Sequence, residues 1–183
     1  ERLSTTNLSF EFTFIGYRDT DTGIAFGSGD FDFGDGTVIS ENFSVLETQI
    51  SENIVRAEFS LSHTYQTPNR YIVSYSEANR NGGIANMENS LNTPFYVETE
   101  ISTPHTNSSP TLSLPNFIGY VEHAYVSKLF ALDKEKDQLF FTKAIPQQGR
   151  NISVVNYEFP NSSNFYQDVR FGNQYKSDSA IFF

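Results

Sequence analysis

The sequence predicts an all-β protein built as two tandem β-sandwiches. Three observations carry that prediction. The chain of 183 residues is aromatic-rich, with 18 Phe and 10 Tyr but no Trp, and these rings fit half-buried pleated surfaces. Apolar residues alternate with polar ones at a period of two in short runs closed by Gly, Asn, Asp or Pro, the pattern of strands joined by tight turns. No stretch carries a 3.6-residue apolar stripe; the nearest, Leu129 to Leu139, has its charges gathered at Asp133 to Asp137 and reads as a turn between strands.

The runs justify the elements in order. Phe10, Phe12 and Phe14 share one face, with Ser9, Glu11 and Thr13 on the other. Val55, Ala57, Phe59 and Leu61 alternate with Arg56, Glu58, Ser60 and Ser62, and Tyr71, Val73 and Tyr75 repeat the pattern. Ile101 to Pro110 holds two prolines and small polar residues without apolar alternation, which reads as a linker. Beyond it Tyr120–Ala131, Gln138–Ile145, Ile152–Phe159 and Asn164–Phe171 read as strands. The division expected is 1–102 and 103–183, each near the size of a seven-stranded sandwich. One larger sandwich or jelly roll is the alternative.

Composition narrows the function. A formal net charge of -10 disfavours a polyanionic partner, so no nucleic acid is expected, while divalent cations are compatible with it. There are no cysteines, which excludes disulfides, zinc thiolates and cysteine nucleophiles. No apolar run approaches the ~20 residues of a membrane-spanning helix. The chain opens Glu1-Arg2-Leu3 and reads as a segment of something longer, with any export signal upstream. Asn-x-Ser sequons start at Asn7, Asn42, Asn107, Asn151 and Asn161; in a chain this rich in Asn and Ser they read as chance.

Residues 31–36 read Phe-Asp-Phe-Gly-Asp-Gly, a strand running into a tight turn. Phe31 and Phe33 fall on one face, and Asp35-Gly36 supplies the dipeptide used where a hairpin needs positive φ. His63-Thr64-Tyr65 follows, then Pro68-Asn69-Arg70-Tyr71-Ile72-Val73. Together these resemble the polycystic-kidney-disease (PKD) repeat, whose fold is an immunoglobulin-like β-sandwich. Phe31 stands at that family's Trp, and Asn69 at its Gly, where Asn is the non-glycine residue best suited to left-handed φ. The insertion from Ser40 to Ile54 is longer than in a minimal repeat. Residues 77–99 are similar to a segment of large secreted surface proteins of gliding bacteria, in which a cadherin-like module with an Asp-rich turn follows. Ala131 to Phe141 is similar to that turn, keeping only Asp133 and Asp137 of its acidic pattern. The resemblance implies two immunoglobulin-like domains, PKD-like then cadherin-like, with Phe31, Phe33, Gly34, Gly36, His63, Tyr65 and Tyr71 as the structural motif.

Calcium is the one candidate cofactor. Asp19, Asp21, Asp32 and Asp35 could offer hard oxygen ligands from two neighbouring loops, with Asp30 two residues farther from the turn. The competing reading has Asp32 and Asp35 satisfying backbone N–H groups in turns. Asp133 and Asp137 form a weaker candidate, because Lys134 and Lys136 neutralise the turn and Lys136 lacks the backbone freedom of Gly. His63, His105 and His123 show no metal or catalytic spacing, and no Gly-x-Ser-x-Gly elbow accompanies them. Tyr65 is expected to tie a strand end to nearby backbone through its hydroxyl. No catalytic residue is nominated. The expectation is a non-enzymatic structural and adhesive segment of a secreted, extracellular surface protein, partnered by other modules of its own chain and by surface glycans or proteins. The alternative is a carbohydrate-binding module, with Tyr71, Tyr75, Phe95 and Tyr96, or Phe165 and Tyr166, as its stacking platform.

Overall fold

A computed structural model describes residues 8–22, 24–103, 107–112 and 130–159. The chain divides into two compact units, Glu1–Thr106 with Pro146–Tyr157, and Asn107–Ile145 with Glu158–Phe183.

The first unit holds seven strands of one sandwich: β1 (Ser9–Asp19), β2 (Asp30–Asp32), β3 (Val38–Ser40), β4 (Leu46–Ser51), β5 (Ile54–Thr64), β6 (Arg70–Glu77) and β7 (Phe95–Ser102). One sheet runs β1-β5-β4 and the other β3-β2-β6-β7. Neighbours pair antiparallel throughout. The long pair is β1 with β5, in unbroken register from Ser9↔Thr64 to Asp19↔Ile54. Part of the Ser40–Ile54 insertion becomes β4, which pairs with β5 and closes that sheet.

Alternation explains which faces meet. Phe10, Phe14, Phe31, Phe33, Phe59, Tyr65, Tyr71, Val73 and Tyr75 are buried and form one cluster, with Phe12 and Phe95 packed against it. Phe14 of one sheet meets Tyr75 of the other at 4.5 Å between ring centroids, and Phe12 meets Phe33 at 5.6 Å. Rings at these separations and tilts add attraction beyond the area they bury. The core is therefore a stack of rings between two pleated faces, and the all-β fold class is as the sequence predicts.

Elsewhere the structure departs from the sequence reading. β8 (Thr111–Leu112) pairs with β9 (Ala131–Leu132) in the second unit. Residues 138–145 form no strand. Strand propensity is realised only against a partner that accepts the ladder, and Phe140 and Phe141 are instead exposed. β10 (Gln147–Gly149) and β11 (Ile152–Ser153) make a short hairpin that belongs to the first unit, so the strand read at Ile152–Phe159 is only two residues long. Of the other strands expected beyond the linker, residues 120–129 and 164–171 lie outside the described residues.

Asn69 also differs from expectation. Among the described residues the non-glycine positions of positive φ are Asn89, Lys136, Asn151 and Asn156, and Asn69 is not one of them. Its backbone instead pairs with Thr103: Thr103 N donates to Asn69 O at 3.0 Å, and Asn69 N donates to Thr103 Oγ1 at 2.7 Å. Those bonds hold the conformation that leads into β6.

Candidate functional site

The Phe-Asp-Phe-Gly-Asp-Gly segment and the His-Thr-Tyr segment meet at one end of the sandwich. Phe31 ends up inside β2, and Phe33 just beyond it is 1% exposed. The chain then turns through Gly34 at φ +80° and Gly36 at φ +94°. Gly34 has a second reason to be glycine: a Cβ there would lie 2.4 Å from Ile72 O, so the turn presses directly on β6. Asp32 Oδ1 accepts from Gly34 N at 2.7 Å and Asp35 Oδ1 accepts from Thr37 N at 3.0 Å. Each carboxylate thus fixes the backbone two residues ahead, the habit of Asp in turns.

His63 and Tyr65 lock this turn onto the other sheet. The His63 ring stacks on Phe33 at 4.1 Å, and its Nε2 lies 2.7 Å from Asp35 Oδ2. Burial pushes the Asp35 carboxyl up, but the bonds from His63 and Thr37 outweigh it and hold its pKa below the ordinary value. Tyr65 donates its hydroxyl to Phe33 O at 2.8 Å, the backbone tie read from the sequence. Burial, then the neighbouring Asp35 carboxylate, raises the Tyr65 phenol well above its usual pKa, so it stays a donor. Tyr71 stacks on Tyr65 at 4.0 Å and donates to Thr67 O at 2.7 Å. Phe31, Phe33, Gly34, Gly36, His63, Tyr65 and Tyr71 therefore converge at one corner.

The acidic residues considered for calcium do not converge. Asp32 and Asp35 sit at the His63 end, whereas Asp19 and Asp21 sit at the other end of β1. The strand from Phe10, which pairs with His63, to Asp19 covers about 30 Å. At that far end Asp19 Oδ1 accepts from Asp21 N at 2.9 Å, and Asp21 Oδ2 accepts from Asn53 Nδ2 at 2.8 Å. In the second unit Asp133 Oδ1 accepts from Asp137 N at 2.8 Å, and Glu135 takes the amide and hydroxyl of Ser108. Lys136 there holds φ 64°, a left-handed position that glycine fills at less cost. Among the described residues no group of three or more His, Asp or Glu is placed to hold a metal ion. His105 and His123 lie outside the described residues.

Nor do the aromatic residues form the platform considered for sugar stacking. Tyr71 and Tyr75 are 7% and 1% exposed, and Phe95 packs on the core, so of those four only Tyr96 faces outward. Phe165 and Tyr166 lie outside the described residues.

Two buried charges escaped the sequence reading. Glu77 is 8% exposed. Its Oε1 accepts from the Tyr75 hydroxyl, from Gly27 N at 2.7 Å and from Ser28 N at 3.2 Å, while Oε2 accepts from Ser28 Oγ at 3.1 Å. A buried carboxylate satisfied in this way clamps the loop before β2. Arg80 is 6% exposed and donates Nε to Pro94 O and Nη2 to Gln147 O, with Phe95 beneath its guanidinium at 5.2 Å. It fastens the β10–β11 hairpin beside β7. Glu and Arg ordinarily read as solvated; the one signal for Glu77 is its parity with Tyr71, Val73 and Tyr75.

No curated protein and no solved structure matches this chain. Residues 4–104, more than half of the chain and all seven strands of the sandwich, match a family model described as integrin beta-like protein A-E, N-terminal. The chain belongs to that family, and its sandwich is the family's N-terminal module.

Proposed function

We propose that this chain is a non-enzymatic adhesion segment of a larger extracellular surface protein. The single observation that carries the reading is membership of the integrin beta-like N-terminal family across the whole sandwich. The chemistry of the motif corner agrees with it: Asp35, His63 and Tyr65 are spent on backbone and ring contacts that hold a turn. In this proposal the sandwich is PKD-like, a reading supported by the Gly-Asp-Gly turn and the Tyr65 tie. The organisation into modules 1–102 and 103–183, the second cadherin-like, is part of the same proposal, with the β10–β11 hairpin returned to the first. Placement in gliding bacteria rests on the likeness of residues 77–99 alone. Its partners are then neighbouring modules of the same chain and molecules displayed on an opposing surface.

The test is adhesion itself. Beads coated with the full chain are expected to be retained on cells bearing the opposing surface, and soluble chain to release them in a dose-dependent way. Retention no greater than with beads carrying an unrelated acidic β-sandwich would overturn the proposal.

A further inference from the structure

The outward face of the four-stranded sheet carries a groove that none of the foregoing uses. Its floor follows from the register. Asp30 of β2 pairs with Ser76 of β6, which pairs with Tyr96 of β7; one row along, Asp32 pairs with Ser74, which pairs with Glu98. Period-two geometry puts all six side chains on the face opposite Phe31, Tyr75 and Val73. Arg150, at the tip of the β10–β11 hairpin, adds a wall, and the half-open groove has a volume of about 280 Å³.

The polar groups in this groove are arranged but largely unengaged. Among the described residues, Asp30, Ser76 and Arg150 find no side-chain hydrogen bond or ion pair, Asp32 uses only Oδ1, on Gly34 N, and Ser74 is already bonded to the Tyr96 hydroxyl. Tyr96 donates its hydroxyl to Glu98 Oε2 at 2.5 Å, which anchors its ring at the groove's edge. Two carboxylates with free oxygens, two serine hydroxyls, a guanidinium and a tyrosine ring thus face one small volume. Carboxylates accept from adjacent hydroxyls, a guanidinium donates to ring and hydroxyl oxygens, and an aromatic ring packs against C–H groups. A ligand bearing many hydroxyls on a compact ring satisfies all three. A polycation would meet the Arg150 charge, and a polyanion would meet Asp30 and Asp32.

We infer that this groove is a saccharide-binding site for one or two rings of a neutral glycan, read by Asp30, Asp32, Ser76, Tyr96 and Arg150. The inference rests on the adhesion reading for its setting and names the partner chemistry. It differs from stacking on Tyr71 and Tyr75, which are core residues.

The experiment uses isotope-labelled full chain titrated with neutral mono- to tetrasaccharides (glucose, galactose, mannose and N-acetylglucosamine series), with a trilysine peptide as control, followed by amide chemical shifts. The result expected is saturable shifts confined to Asp30, Ser76, Tyr96 and Arg150 for at least one saccharide series. Asp30→Ala and Arg150→Gln should each weaken that binding by about tenfold, the worth of one charge-assisted hydrogen bond, with the melting midpoint unchanged. No shift with any saccharide at millimolar concentration, shifts elsewhere, or trilysine binding lost in Asp30→Ala would each overturn it. If saccharide shifts are absent while bead retention persists, the groove falls and the adhesion reading stands. If bead retention is absent while saccharide shifts persist, the adhesion reading falls and the groove stands.

Discussion

The two faces of the sheet β3-β2-β6-β7 are built from alternate residues of the same strands yet do opposite things. Inward, Phe31, Tyr71 and Tyr75, with Val73 packed among them, make a core of rings whose partners are all supplied by the protein. Outward, Asp30 and Ser76, joined by Arg150 of the β10–β11 hairpin, face a groove and have no side-chain hydrogen-bond partner among the described residues. A strand has one backbone but two environments, so stability and recognition can be assigned to different residues of a single run. The acidic turns teach the same lesson at smaller scale: Asp32 and Asp35 serve the backbone around them, while Asp30, two residues earlier, does not.

The largest expected effect breaks the inward face. Phe14→Ala removes a ring packed against Tyr75, Phe59 and Phe26 and should cost about 3–5 kcal/mol in urea unfolding. Its neighbour Thr13, whose hydroxyl meets Ser60 on the exposed side at 2.8 Å, should cost no more than about 0.5 kcal/mol as Thr13→Ala. Equal costs would mean the two faces are not divided as described.

Next in size is the tie between the sheets. Tyr65→Phe leaves the Phe33 carbonyl without its donor and should destabilise by about 1–3 kcal/mol, with the Phe33 amide losing hydrogen-exchange protection. A neutral result would show that the ring stack alone holds the corner.

Smaller again is the pH effect at Asp35. Its pKa is lowered in the folded state, so its contribution is present above the unfolded carboxyl value of ~3.9 and is lost as pH falls through the folded value. Wild type should therefore lose stability over that acid range by more than Asp35→Asn does. Parallel curves for the two proteins would remove Asp35 from the account. The smallest expected effect is that of calcium. Because Asp19, Asp21, Asp32, Asp35 and Asp133 each accept a bond from within their own turn or its neighbour, millimolar Ca²⁺ should leave the melting midpoint where chelator leaves it. A site filled at a hundredfold excess over Kd would instead add about 2.7 kcal/mol. Loss of such a gain in Asp35→Asn or in Asp137→Asn would say which unit binds.

Much of this was legible in the sequence because the governing periods are local. Alternation marked the strands of the sandwich, and Phe31, Phe33, Asp35, Gly36 and Tyr65 could be given roles from their spacing and the turn they surround. What was not legible depends on distant chain. Arg80 reaches Gln147 across a sequence separation of 67 residues, which no window contains. Alternation also marks two faces without saying which one is buried, so Tyr71 and Tyr75 read as a platform although they are core. Asn69 failed for a related reason: the bonds that fix it come from Thr103, beyond the far end of β7. Gln138–Ile145 has the composition of a strand but no partner among the described residues to make it one.

The division of labour between faces is tested most directly along β6, one residue at a time. Each of Tyr71, Ile72, Val73, Ser74, Tyr75 and Ser76 is replaced by Ala, and both the urea midpoint and bead retention are read. Tyr71, Val73 and Tyr75, all buried, should each lose on the order of 2–5 kcal/mol. Ser74→Ala and Ser76→Ala should stay within about 0.5 kcal/mol and weaken retention, with Ile72→Ala between the two groups in stability. Retention that follows stability at every position, with no separate loss at Ser74 and Ser76, would contradict the account.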